Sequence, residues 1–306
     1  MADKKIAYIG AGPATLYGIQ ALLKLGEYEV EVFDMNARAG GACYTGIPDY
    51  RFNKSFIDKL VDELSAAGVQ FHFNTTIGKD ISFATLQEKF DRIVVAIGAQ
   101  VENMFDLQQG NGCMAGLTLL HDLNIDKKHD EYKQTYHHAV VWGGGNVAMD
   151  CARSLIRIMD DVSIIYRRSE EEMPAHKGEI KDARNEGVSL HFLENIKAVL
   201  RDDSGKVVGV KVINMELGEP DASGRKSTHE VAGSEHIIDC DLVVAAIGQK
   251  VDFSVLDPKL NFTFGKHEST IEHVYISGDA YLGPQSIATA IKDGREVANE
   301  INESFQ

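Results

Sequence analysis

Two stretches of this chain run from a short apolar strand through a glycine turn into a helix. The first is Ile6-Ala7-Tyr8-Ile9 followed by Gly10-Ala11-Gly12-Pro13-Ala14-Thr15. The second is Ala139-Val140-Val141-Trp142 followed by Gly143-Gly144-Gly145-Asn146-Val147-Ala148. In such a turn the first glycine allows the sharp reversal and the second keeps a side chain away from an approaching pyrophosphate. The third small residue lets helix and strand pack closely. The helix start adds unpaired N–H groups and the positive end of the helix dipole. A chain with two such units is constrained to an α/β architecture with two Rossmann-like nucleotide-binding domains.

The residue that follows each turn differs in charge. Asp34 stands 24 residues after Gly10, and Arg167 stands 24 residues after Gly143, with Arg168 next to it. A carboxylate accepts hydrogen bonds from a ribose diol and repels a 2′-phosphate, so the first site suits FAD or NAD. A guanidinium fork matches phosphate oxygens bidentately, so the second site suits NADPH. The competing assignment for the arginines is pairing with the adjacent run Glu170-Glu171-Glu172. The third fingerprint position is Thr15 in the first turn, bulkier than glycine, and the small Ala148 in the second.

Periodicity supplies the surrounding elements. Apolar residues Leu16, Ile19, Leu22 and Leu23 predict a helix over residues 14–25, and alternation predicts a strand over 29–34. Residues 36–54 read as a loop, 54–67 as a helix, 69–73 as a strand, 84–89 as a helix and 92–97 as a buried strand ending at Gly98. The second half repeats the plan, with a helix over 147–159 and strands over 162–166 and 188–192. Antiparallel character follows, with a turn at Asp203-Ser204-Gly205 between two alternating runs and a long loop or wide hairpin over 217–234. Residues 241–248 end, like 92–98, in Ala-Ile-Gly, which marks an internal duplication. A strand ending in Gly278-Asp279 and a helix over 286–302 return the chain to the first domain. The expected division is a FAD-binding domain over 1–102 and 249–306, with an NADPH-binding domain and its connecting segment over 103–248.

Other chemistry finds little support. A net charge of −15 argues against nucleic acid, which needs a basic surface. No apolar run reaches membrane-spanning length, and the short run after Met1-Ala2-Asp3-Lys4-Lys5 is too brief for a signal peptide. Cys43, Cys113, Cys151 and Cys240 form no Cys-x-x-Cys pair, which removes a redox disulfide and a cluster held by closely spaced thiolates. They read as reduced thiols of a cytoplasmic protein, with Cys151 and Cys240 as small core residues. No metal-ligand spacing or Ser/His/Asp arrangement stands out. That fits hydride transfer, where the cofactors carry the reaction and the protein aligns nicotinamide C4 with flavin N5. Asp279 is a candidate for a ribityl hydroxyl, and the helix start at Ser286 for the flavin pyrimidine.

Several stretches carry a family resemblance: Gly46-Ile47-Pro48-Asp49-Tyr50-Arg51, the run Gly143 to Asp150, Tyr166-Arg167-Arg168-Ser169-Glu170-Glu171-Glu172-Met173-Pro174-Ala175, and Gly278-Asp279 with Gly283. Over residues 5–302 the chain resembles the small (β) subunit of NADPH-dependent glutamate synthase and the FAD/NADPH part of dihydropyrimidine dehydrogenase. The resemblance implies a split FAD domain interrupted by an NADPH domain. It assigns FAD contacts to Gly10, Gly12, Pro13, Ala14, Asp34, Gly41, Gly98, Gly278, Asp279, Ser286 and Ile287. Thr15 takes a position usually filled by glycine or serine. NADPH contacts fall on Gly145, Asn146, Val147, Arg167 and Arg168, with Gly143 and Ala148 completing the turn. Relatives of this type begin with a cysteine-rich iron–sulfur domain, which this chain reads as lacking. Ala42-Cys43-Tyr44-Thr45 replaces a stretch that is usually leucine-rich and basic, near the flavin or its approach.

The expectation is an FAD-dependent NADPH oxidoreductase that passes electrons to a larger reductase or synthase subunit, or works as a homodimer. The alternatives are a stand-alone NADPH diaphorase acting on quinones, or a non-catalytic nucleotide-binding regulatory protein.

Overall fold

The computed structural model describes residues 4–105, 107–220 and 224–306, so part of the 217–234 segment lies outside the described residues. The chain divides into two units: one of Met1–Thr45, Asp49–Val101 and Gln249–Gln306, the other of Gly46–Pro48 and Glu102–Gly248.

In the first unit, strands β1 (Lys5–Ile9), β2 (Glu29–Phe33), β3 (Gln70–His72) and β4 (Arg92–Val95) are joined by helices α1 (Pro13–Leu22), α2 (Ala42–Thr45), α3 (Ser55–Ala66) and α4 (Phe83–Lys89). Val101–Glu102 (β5) is a two-residue strand where the chain leaves this unit. The second unit holds strands β6 (Cys113–Ala115), β7 (His138–Trp142), β8 (Asp161–Tyr166), β9 (Ser189–Phe192), β10 (Glu194–Arg201), β11 (Val207–Pro220), β12 (Lys226–Glu230), β13 (His236–Asp239) and β14 (Leu242–Ala245). Its helices are α5 (Gly116–Asn124), α6 (His129–Thr135), α7 (Asn146–Leu155) and α8 (Lys177–Asn185). The first unit resumes with β15 (Gln249–Lys250), β16 (Val274–Ile276), α9 (Asp279–Leu282) and α10 (Ile287–Glu303).

Each unit is built on a five-stranded parallel sheet, in the order β16-β4-β1-β2-β3 and β6-β14-β7-β8-β9. The glycine-turn strands β1 and β7 are central in both. The outermost strand beside the Ala-Ile-Gly strand comes from late in the chain in the first unit (β16) and from before the fingerprint in the second (β6). The duplication is thus a repeat of geometry with the edge strand supplied from opposite directions. Both central strands are buried along nearly their whole length, as a sheet covered on two faces requires.

Parts of the chain differ from the sequence reading. Residues 36–54 contain the one-turn helix α2, set up by left-handed Gly40 and Gly41, and four residues are too few to show a helical period. Strand β6 with helices α5 and α6 occupies the stretch read only as a connecting segment; a three-residue strand carries no alternation to detect. Segment 217–234 takes the wide-hairpin alternative of the sequence reading: β11 continues to Pro220 and pairs antiparallel with β12 from Met215↔Glu230 to Pro220↔Lys226. Helix α1 stops at Leu22, three residues short of the expected end. Among the described residues no helix is long and apolar enough to cross a membrane.

Candidate functional site: two glycine turns built alike

The two fingerprints fold into turns held by matching bonds within their separate units. Gly10 N–H donates to Phe33 O at 2.8 Å, and Gly143 N–H donates to Ile165 O at 3.0 Å. Both glycines have positive φ, 96° and 145°. A Cβ on Gly10 would lie 2.4 Å from Ala96 O, and one on Gly143 would lie 2.2 Å from Ala246 O. Each turn therefore presses against the Ala-Ile-Gly end of the neighbouring strand, so both positions need glycine on two counts. The next fingerprint glycines differ: Gly12 and Gly145 are N-caps of α1 and α7, and a Cβ on either meets nothing within 4 Å. Their glycine requirement is not internal to the protein. Open space beside bare backbone at a helix start is the cradle a pyrophosphate fits.

Thr15 is fully buried, and its hydroxyl donates to Gly10 O at 2.6 Å. The bulkier third residue thus braces the turn. Close packing is provided elsewhere in the first unit, where Gly294 of α10 lies against α1: a Cβ there would sit 2.1 Å from Ala14 O. Ala148 is fully buried in the second unit, as a small packing residue should be.

In the first unit, Asp34, Gly41 and Gly278 come onto this turn. Asp34, at the end of β2, is buried; its Oδ2 accepts from Ala11 N–H at 2.7 Å, and its Oδ1 from Asn36 N–H and Nδ2 at 2.7 and 2.9 Å. Burial pushes its carboxyl up, and those donors pull it partly back. Oδ1 already accepts two donors, whereas Oδ2 accepts one and keeps acceptor capacity for a hydroxyl. A Cβ on left-handed Gly41 would be 3.2 Å from Gly12 Cα, and Gly40 N–H donates to Ala11 O at 2.8 Å, which brings the α2 loop onto the fingerprint. Tyr44 of α2 is clamped by Arg38, whose guanidinium lies 3.7 Å from the ring centroid, and by a short hydrogen bond to Asp58. Pro13 opens α1, and the loop residue Gly98 has φ 67° with open space at its Cβ position.

Gly278 also reaches the fingerprint, since a Cβ on it would lie 2.9 Å from Ala14 Cβ. Its left-handed φ of 67° is held by Asp293, whose Oδ2 accepts from Gly278 N–H at 2.5 Å and Ser277 Oγ at 2.8 Å. Asp293 Oδ1 lies 3.0 Å from His267 Nε2, and His267 Nδ1 lies 2.7 Å from Glu300 Oε1. Burial works against a charged imidazole here, but the bonds to Asp293 and Glu300 outweigh it and hold His267 up at about 9. This His267–Asp293–Glu300 network escapes sequence reading because its members are far apart in the chain and follow no period. Asp279 follows Gly278 directly. Burial, with the charge of Asp293 adding to it, pushes its carboxyl up to about 6, against a weak bond from Gln285 N–H. Ser286 caps α10 by accepting from Thr289 N–H at 3.1 Å, and Ile287 is the first residue of that helix.

In the second unit, Asn146 Oδ1 accepts from His176 N–H at 3.0 Å, which ties the start of α7 to the Met173-Pro174-Ala175 loop, and Val147 follows in the same first turn. Arg167 and Arg168 leave the end of β8 in different states. Arg168 is buried, with Nε donating to Lys226 O at 2.6 Å. Arg167 is exposed and makes no hydrogen bond or ion pair among the described residues.

All four cysteines are buried and unpaired. Burial pushes Cys43 and Cys240 up to about 12, Cys151 well above its ordinary value, and Cys113 upward. None is a ready thiolate nucleophile.

Comparison with known proteins agrees with this geometry. The model of a family described as pyridine nucleotide-disulphide oxidoreductase matches residues 4–294. The chain is 37% identical to the NADP(+)-dependent formate dehydrogenase subunit beta of Moorella thermoacetica, over 98% of this chain and 44% of that protein. It is 32% identical to the glutamate synthase [NADPH] small chain of Escherichia coli, over 97% of this chain and 68% of that one. The chain thus spans less than half the length of the Moorella subunit. In fold it is similar to Mycobacterium tuberculosis FprA, with a TM-score of 0.82 at 20% identity over 99% of this chain and 85% of FprA.

Proposed function

The chain belongs to the pyridine nucleotide-disulphide oxidoreductase family, and from that premise we propose that it is an FAD-dependent NADPH oxidoreductase delivering electrons to a partner redox centre. One observation carries the reading: two glycine turns of matched geometry are followed at equal spacing by a buried carboxylate in one unit and an unpaired guanidinium in the other. The relatives named above carry NADP or NADPH in their descriptions and are subunits or chains of larger enzymes, which supports both the donor and the partner.

When bound, FAD supplies the chemistry of taking a hydride from NADPH and releasing electrons onward. This chain's residues do the rest. Gly10, Gly12, Pro13, Ala14 and Thr15 present bare backbone and a helix start to the FAD pyrophosphate. Asp34 accepts from the adenosine ribose. Gly41 and Gly98 keep backbone approach open, and Asp279 accepts from a ribityl hydroxyl. Ser286 and Ile287 begin the helix whose positive end favours negative charge on the flavin pyrimidine. Gly143, Gly145, Asn146, Val147 and Ala148 form the NADPH pyrophosphate turn, and Arg167 takes the 2′-phosphate; Arg168, expected to share that role, is instead buried against the Lys226 carbonyl. Four buried thiols with no disulfide suit a cytoplasmic setting.

Purified protein tests the reading. Arg167→Ala raises the NADPH Michaelis constant and leaves that for NADH nearly unchanged. Equal losses with both coenzymes would overturn the phosphate assignment. Copurification with a larger subunit supports the partner, whereas fast quinone turnover by the chain alone would favour a diaphorase.

A further inference from the structure

Arg167 and Arg168 lie beside three consecutive glutamates, so a carboxylate is the natural internal competitor for either guanidinium. The structure commits two of those carboxylates elsewhere. Glu170 pairs with Arg184 of α8 at 2.7 Å. Glu172 Oε1 lies 2.9 Å from Lys226 Nζ at the start of β12, and its Oε2 accepts the hydroxyl of Ser169, two residues from Arg167. Ser169 and Lys226 together hold the Glu172 carboxyl below the usual range, and Glu172 in turn raises Lys226, so the pair is charged at neutral pH. The backbone of Lys226 acts on the same site, because its carbonyl takes Arg168 Nε at 2.6 Å. Arg167, adjacent in sequence to Arg168 and two residues before Ser169, is exposed with no protein partner among the described residues.

We propose that Lys226, seconded by Arg184, is a specificity-determining residue for the 2′-phosphate of NADPH: it neutralises Glu172 and keeps that carboxylate off Arg167. The proposal rests on the NADPH reading of the second site. A 2′-phosphate is strongly anionic, so an uncompensated Glu172 would both repel it and offer Arg167 an internal partner. The antiparallel hairpin β11–β12 is then part of coenzyme recognition: its Lys226 carbonyl fixes one arginine and its Lys226 ammonium frees the other.

The test is equilibrium binding of NADP+ and NAD+ to the full-length, FAD-loaded protein. Lys226→Ala is expected to weaken NADP+ by about three- to tenfold, as removal of one partly exposed counter-charge allows, with NAD+ unchanged. Adding Glu172→Gln to it restores NADP+ affinity to that of Glu172→Gln alone. Lys226→Met, which keeps the aliphatic stem, gives the same pattern and serves if the alanine variant folds poorly. If Lys226→Ala affects neither ligand, or both alike, while Arg167→Ala remains selective for NADP+, this inference fails and the NADPH reading stands. A double variant as weak as Lys226→Ala also overturns it, because the lysine then acts by direct contact. If Arg167→Ala shows no selectivity, the NADPH reading itself fails.

Discussion

Asp279 should destabilise the protein that it equips. Its carboxyl is half-buried at the left-handed Gly278 turn, close to the charge of Asp293, and is pushed from 3.8 up to about 6. A group whose folded value is raised favours folding when protonated. The resulting destabilisation is absent below 3.8, grows as pH rises, and is complete above about 6. The shift corresponds to about 3 kcal/mol near pH 8 and to about half that near pH 5. Asp279→Asn keeps the shape and removes the charge. The apoprotein variant is therefore expected to be more stable than the parent by about 2–3 kcal/mol near pH 8, with the gain shrinking toward zero as pH falls below 4. Urea unfolding of the two apoproteins at several pH values reads this as a shift in midpoint without a change in slope. The same variant should bind FAD more weakly, since an amide is a poorer acceptor for a ribityl hydroxyl. A stability gain that is equal at all pH values, or absent near pH 8, would refute the reasoning, for the strain would then not be the buried charge.

Other outcomes follow from the same geometry. Gly10→Ala should unfold or severely destabilise the first unit, because its Cβ would lie 2.4 Å from Ala96 O at a φ of 96°. Gly12→Ala meets no protein atom within 4 Å and should keep the fold while losing FAD, as thermal unfolding and flavin retention will show. His267→Gln should cost about 2–3 kcal/mol near neutral pH. The parent's advantage is full below 6.5 and fades as pH rises through about 9, measured by denaturation at matched pH. The four cysteines should resist a thiol reagent in the native protein and react together on unfolding, since each is buried with a raised thiol; rapid labelling of native protein would contradict that burial.

The sequence carried the glycine turns and their charged followers because that geometry is local: strand, turn and helix fall within about thirty residues. It could not distinguish the glycines needed by the fold, Gly10 and Gly143, from those left open for a ligand, Gly12 and Gly145, because that depends on Ala96 and Ala246 far along the chain. Strand β6 was illegible for a related reason: three residues between Gly112 and α5, two of them buried, gain their identity only by pairing with β14. Thr15, read from the sequence only as bulkier than glycine, makes a hydrogen bond to Gly10 O, which spacing alone cannot foresee. Residue types around Arg167 suggested pairing with Glu170–Glu172, yet Arg184 and Lys226 claim two of those carboxylates from elements that follow later in the chain.

The central claim is that this one chain takes hydride from NADPH to FAD. Anaerobic titration of the FAD-loaded protein with NADPH tests it most directly, followed by the visible absorbance of the flavin. Bleaching that is complete at one equivalent of NADPH per flavin, with NADH far less effective, is the predicted result. Flavin that stays oxidised with NADPH present would contradict the account.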